Sequence, residues 1–170
     1  MNNEPANNPP ALQPFVIVHT VNALPGAVWQ AWTDPERIRQ WWGPKGGTVE
    51  HCVVDLVPGG VNHYRLSFSD GRGMWGKFIY REIVAPERLV YVSSFSDASG
   101  GITRHANNAD WPLEMLTTVT FRECNGGTTV TVEWLPLNAT EAEKQAFDTG
   151  REVMRKGWAG SLQRLGEYFA

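Results

Sequence analysis

The sequence predicts one α+β domain: a curved, seven-stranded antiparallel sheet wrapped around a long C-terminal helix, with two short helices between the first and second strands. Three observations carry this reading. β-branched and aromatic runs, separated by turns of Gly, Pro, Asn and Asp, follow one another through the middle of the chain. Strands joined so tightly pair antiparallel, because parallel pairing needs long crossovers. Near the C-terminus, Phe147, Met154, Trp158, Leu162, Leu165 and Phe169 recur at separations of 7, 4, 4, 3 and 4, one apolar face at helical period. Finally, 170 residues with 42% hydrophobic and 19% charged side chains suffice for one core.

Taken in order, residues 1–14 (MNNEPANNPPALQP) are rich in Asn and Pro and read as a disordered polar tail, leaving 15–170 as the domain. Residues 15–21 (FVIVHTV) are the first strand. Leu24-Pro25-Gly26 breaks it, and Val28, Trp29 and Trp32 then fall at helical spacing. Asp34 is a natural N-cap for a second short helix, with Pro35 at its first position and Gly43-Pro44 as its stop. Strands follow at 48–57, 61–69, 74–84, 89–95, 113–124 and 128–134, the last two joined as a hairpin through Asn125-Gly126-Gly127. Thr140 and Glu143 form a capping box. From there one continuous helix is expected to Phe169, roughly 45 Å at ~1.5 Å per residue. Residues 96–112 are a long connection without an evident element, the kind that forms lids and binding loops.

Several function classes are excluded. A net charge of −3 is wrong for a domain that holds nucleic acid through its field. No signal peptide or membrane-spanning apolar run is present, which with two isolated cysteines, Cys52 and Cys124, points to a cytoplasmic protein with reduced thiols. His19, His51, His63 and His105 show no metal-ligand spacing, so no metal is expected. No phosphate-binding glycine loop or nucleophile elbow occurs, and no cofactor is implied.

Eight Trp, seven Phe and four Tyr are many rings for one core, and they suggest either a very aromatic core or an aromatic-lined cavity, which the fold would place between helix and sheet. Strand alternation turns Tyr64, Phe78, Tyr80, Phe95 and Met115 inward, and it turns His63 outward and leaves Glu114 at the rim. Met154 and Trp158 descend from the helix, Trp111 comes from the long connection, and one of Trp41 and Trp42, taken as Trp42, lies over the mouth. These nine residues are the candidate ligand-binding set. The expected ligand is a small apolar or aromatic molecule, oriented by the Tyr64 and Tyr80 hydroxyls. The alternative is an enzyme that uses the same cavity, with His105 or Asp110 as acid or base. Gly150 and Gly157 interrupt the helical face and are read either as close helix–sheet contacts or as free volume beside Met154 and Trp158.

The segments Trp29–Pro44 (WQAWTDPERIRQWWGP), Val57-Pro58-Gly59-Gly60, Gly76–Val90, Trp111–Glu123, Gly126-Gly127-Thr128, Trp134–Thr140 (WLPLNAT) and Gly157-Trp158 resemble, in that order, the Bet v 1-like or START-type (SRPBCC) superfamily. More closely they resemble the domain family named after the Hsp90 ATPase activator homologues. The resemblance implies the helix-grip fold over residues 15–170. It implies an internal ligand cavity, and by the family's name a chaperone as a further partner. The eukaryotic activator pairs this domain with a separate N-terminal domain, in whose place this sequence has its polar tail. The sequence therefore looks like a small stand-alone member, monomeric or homodimeric.

Overall fold

The computed structural model describes residues 11–170; most of the expected polar tail lies outside them, and residues 11–14 are coil leading into the first strand. β1 (Phe15–Val21) is followed by α1 (Pro25–Thr33) and α2 (Pro35–Trp41). β2 (Gly47–Val54), β3 (Val61–Phe68), β4 (Gly73–Val84), β5 (Arg88–Ser96) and the two-residue β6 (Ile102–Thr103) come next, then β7 (Met115–Cys124) and β8 (Gly127–Pro136). The chain ends in α3 (Glu141–Thr149) and α4 (Arg151–Tyr168).

The main strands form one antiparallel sheet in the order β1-β8-β7-β5-β4-β3-β2, with β6 added beside β5. The seven long strands are those the turn signals delimit. β6 is a correction to the expectation of an element-free 96–112 connection, too short for any periodicity to show. Local chemistry explains the joints. The Asp34 carboxylate accepts the Glu36 amide N–H, with Pro35 behind it, so α2 starts where a cap and a proline coincide. Asn125 and Gly126 both take positive φ, 51° and 80°, the two-residue turn whose twist matches antiparallel strands.

Burial alternates along β3, the middle of β4 and most of β7. In β3, Asn62, Tyr64 and Leu66 are buried, and in β4 Gly76, Phe78 and Tyr80 are. Met115, Thr117, Val119 and Phe121 of β7 continue the same concave face. His63 faces the other way, stacked on Trp75 at 4.7 Å between ring centres. α4 lies over the concave face and buries Met154, Trp158, Leu162 and Leu165. Arg164 clasps α4 to the α2–β2 connection: its guanidinium donates to the carbonyls of Trp42, Gly43, Pro44 and Gly47 at 3.0–3.2 Å.

The single helix expected from Thr140 to Phe169 is instead two, α3 and α4, interrupted at Gly150. The Gly150 N–H is shared between the Ala146 and Phe147 carbonyls, while the Met154 N–H still reaches the Gly150 carbonyl. A Cβ at position 150 would stand 3.0 Å from Trp111 Cζ3, so the glycine leaves room for that ring against the helix joint. The capping box at Thr140 and Glu143 forms as expected.

Candidate functional site

A cavity of about 700 Å³ lies between the concave face of the sheet and α4. Its far wall is built from alternate residues of adjacent strands: Tyr64 and Leu66 from β3, Phe78 from β4, Tyr91, Ser93 and Phe95 from β5. Met115 and Trp134 extend this wall from β7 and β8. α4 contributes Met154 and Trp158, with Val153 and Gly157 one turn apart beside them. The β5–β7 connection supplies His105, Asn108 and Trp111, and the segment after α2 supplies Trp42, Gly43 and Pro44.

Eight of the nine candidate residues thus line one cavity: Trp42, Tyr64, Phe78, Phe95, Trp111, Met115, Met154 and Trp158. Their rings meet edge to face. Trp42 lies 5.3 Å from Phe78, 5.8 Å from Tyr64 and 5.9 Å from Trp158 between centroids. Trp158 is also 5.5 Å from Trp134 and stacks on Trp32 of the core at 6.3 Å, so it belongs to core and cavity at once. The two adjacent tryptophans divide the work. Trp41 is fully buried, its indole N–H donating to the Ala31 carbonyl at 2.8 Å, whereas Trp42, just past the end of α2, faces the cavity.

Tyr80 is the exception and a correction. It shares the inward face but does not line the cavity; it is buried beneath it, 6.2 Å from the Tyr91 ring. Tyr91 takes the wall position, stacked on Phe78 at 4.2 Å. Burial pushes all three tyrosines up, Tyr64 to about 12, an effect partly offset by the Trp42 indole beside the Tyr64 hydroxyl. Tyr64 lies across its cross-strand partner Gly76, where a Cβ would come within 2.5 Å of Tyr64 Cζ. Gly76 is what lets the phenol fold over β4.

The two helix glycines differ in kind. Gly150 is a close contact with Trp111, and Gly157 borders the cavity with nothing within 4 Å of an added Cβ. Polar groups on the wall are few, and among the described residues none of them is Asp, Glu, Lys or Arg. The Ser93 hydroxyl pairs with Thr117 Oγ1 at 3.1 Å, and Thr117 Oγ1 accepts the Trp134 indole N–H at 2.8 Å. His105 stands edge-on to Phe95 at 5.1 Å, and its Nδ1 accepts the Asn107 amide N–H at 3.1 Å. Of the two residues weighed as acid or base, His105 lines the cavity, whereas Asp110 is exposed and off the wall. Arg104 pairs with Glu143, tying the β5–β7 connection to the first turn of α3; that guanidinium and the Thr140 amide hold the Glu143 carboxyl below its usual range. Among the described residues, no cluster of three or more His, Cys, Asp or Glu is placed to hold a metal ion, and no helix is long and apolar enough to cross a membrane.

Tyr91 and Ser93 are two of the wall residues that lie outside the candidate set. Their signal was present, because they alternate in register with Phe95, which was identified.

Solved structures share this fold. A crystal structure of a protein from Mycobacterium smegmatis superposes with a TM-score of 0.73 at 23% identity, covering 94% of this chain and 91% of that one. A protein from Nitrosomonas europaea gives 0.73 at 19% identity, covering 94% and 95%. A solution structure from Arthrobacter aurescens gives 0.74 at 23% identity, covering 93% and 86%. No curated protein matches the chain. The family described as Activator of Hsp90 ATPase homolog 1-like protein matches residues 22–170, nearly the whole of a helix-grip domain, and the chain belongs to that family.

Proposed function

We propose that the protein binds a small apolar or aromatic ligand in the cavity between α4 and the sheet. One observation carries the reading: about 700 Å³ of space is walled chiefly by aromatic and aliphatic side chains from five strands, two helices and a long connection. Cavities of this size and lining are the usual form of a small-molecule site. Apolar burial against the rings supplies the affinity, at roughly 25 cal/mol per Å² removed from water. The ring edges and faces of Trp42, Trp158 and Phe78 supply shape.

Native mass spectrometry of gently purified protein, followed by titration with naphthalene read through tryptophan fluorescence, tests the reading. A retained apolar molecule, or saturable binding of one naphthalene-sized probe per chain, is expected. A protein that retains nothing and leaves its tryptophan emission unchanged up to the solubility limit of the probe refutes it.

A further inference from the structure

From its N-cap onward, α4 lines the cavity with Gly150, Val153, Met154, Gly157, Trp158 and Ser161, one face of the helix. At ~1.5 Å per residue, the stripe from Gly150 to Ser161 runs roughly 16 Å. A sphere holding the same 700 Å³ would be only about 11 Å across, so the space is elongated and lies lengthwise along the helix. Val153, on the lip of this trough, is 75% exposed. Gly157, one turn on, has nothing within 4 Å of an added Cβ. A molecule laid along α4 covers the first and fills the room beside the second.

The two ends of the trough differ. At the Gly150 end stands the β5–β7 connection: Trp111 packs against Gly150, His105 against Phe95, and Asn108 also reaches the cavity. Residues 106–110 of that connection are exposed, so this end is wet. The Ser161 end is closed. Arg164, three residues beyond Ser161, holds the carbonyls of Trp42, Gly43 and Pro44. Leu66 is buried against Gly43, where a Cβ would come within 2.8 Å of Leu66 Cδ2, and Met74 is the cross-strand partner of Leu66. The Ser161 hydroxyl is already given to the Gly157 carbonyl at 3.2 Å. A polar group carried to this end is desolvated at a cost, whereas at the connection it keeps water. Met74, Met115 and Met154 also line the space, and their flexible thioethers adapt to a thin guest.

Resting on the reading of the cavity as a ligand site, we propose that it takes a long apolar chain with one polar end group, laid lengthwise along α4, and that its closed end gauges the length of that chain. The apolar tip meets Trp42, Leu66 and Met74. The polar end stays at the mouth beside His105 and Asn108. An extended chain of about twelve carbons spans the stripe from Gly150 to Ser161.

Straight-chain 1-alkanols of 6, 8, 10, 12, 14 and 16 carbons, titrated beside naphthalene and read through tryptophan fluorescence, measure the gauge. In wild type, affinity rises about fourfold per added CH₂ up to about twelve carbons and then levels off. Ser161→Leu places bulk at the closed end, and there the levelling comes at least two carbons earlier. If a thermal melt shows Ser161→Leu unfolded, Met74→Trp blocks the same end and is expected to give the same shift. Affinity that levels at eight carbons or fewer, that still rises at sixteen, or that levels at the wild-type length in a folded end-blocked variant overturns this inference. Naphthalene binding alongside any of those results leaves the cavity a ligand site. If neither naphthalene nor any alkanol binds, the ligand-site reading fails and this inference fails with it.

Discussion

Gly157→Leu separates the cavity from the fold, because it adds bulk to one without disturbing the other. Position 157 is interior to α4, and an added Cβ meets nothing within 4 Å. Replacing a helix-interior glycine with leucine recovers backbone entropy worth about 0.5–1 kcal/mol. For a chain of this size, that raises Tm by ~1–4 °C. The leucine side chain enters at the rim, beside Trp158 and across from Trp42, where a ligand would otherwise make contact. Excluding a ligand from about 60 Å² of wall forfeits ~1.5 kcal/mol at ~25 cal/mol per Å². That is a loss of slightly more than tenfold in affinity. Thermal melts and naphthalene titrations on the same preparations read both quantities. A variant that is more stable and binds more weakly is the expected result. A destabilised variant would show that position 157 is packed. A stable variant with wild-type affinity would place the ligand away from α4 and refute the reasoning.

Other outcomes follow from the same geometry. Trp158→Ala removes a ring packed on Trp32, Trp42 and Trp134 and should cost about 3–5 kcal/mol in denaturant unfolding. Trp158→Phe should cost far less, stay folded and still weaken naphthalene binding. Gly76→Ala drives a methyl into Tyr64 and should cost about 1–3 kcal/mol, which the double variant Gly76→Ala/Tyr64→Val should largely restore. Cys52 is buried, and burial pushes its thiol up to about 11, whereas Cys124 is exposed; a disulfide-exchange reagent should therefore react with Cys124 alone in native protein and with both thiols after denaturation. Glu143 is held low first by Arg104 and then by the Thr140 amide, so its contribution to stability is complete above its ordinary 4.5 and is lost as pH falls through the lowered folded value. Glu143→Gln should flatten that acid limb of the stability curve, and an unchanged limb would show that the Arg104 pairing carries no weight.

Much of this was legible in the sequence because a strand's period of two assigns a face to every residue. The inward turns of Tyr64, Phe78 and Met115 follow from alternation alone. Alternation assigns a face, however, and not a depth. Tyr80 and Tyr91 face the same way, and only the register of β4 on β5, which pairs them directly, decides how each ring lies relative to the cavity. The break at Gly150 escaped for a related reason. The seven-residue step from Phe147 to Met154 keeps helical phase across the interruption, so periodicity reads straight through it. The Trp111 ring packs against this joint, and it arrives from a connection with no period of its own. By contrast, the different fates of Trp41 and Trp42 were foreseeable, since neighbours at a helix end point in different directions and one of them had to leave the core.

The eight tryptophans provide the most direct test of the cavity as a binding site. Trp42, Trp111, Trp134 and Trp158 line it, whereas Trp29, Trp32, Trp41 and Trp75 do not. Assigned indole N–H resonances in a two-dimensional NMR titration with naphthalene report on all eight at once. The predicted result is saturable shifts at the four lining indoles, with smaller effects at Trp32 through its stack on Trp158 and none at Trp75, which lies on the opposite face of the sheet against His63. Shifts centred on Trp75, or no shift at the lining four while the probe binds, would contradict the assignment of the cavity as the site.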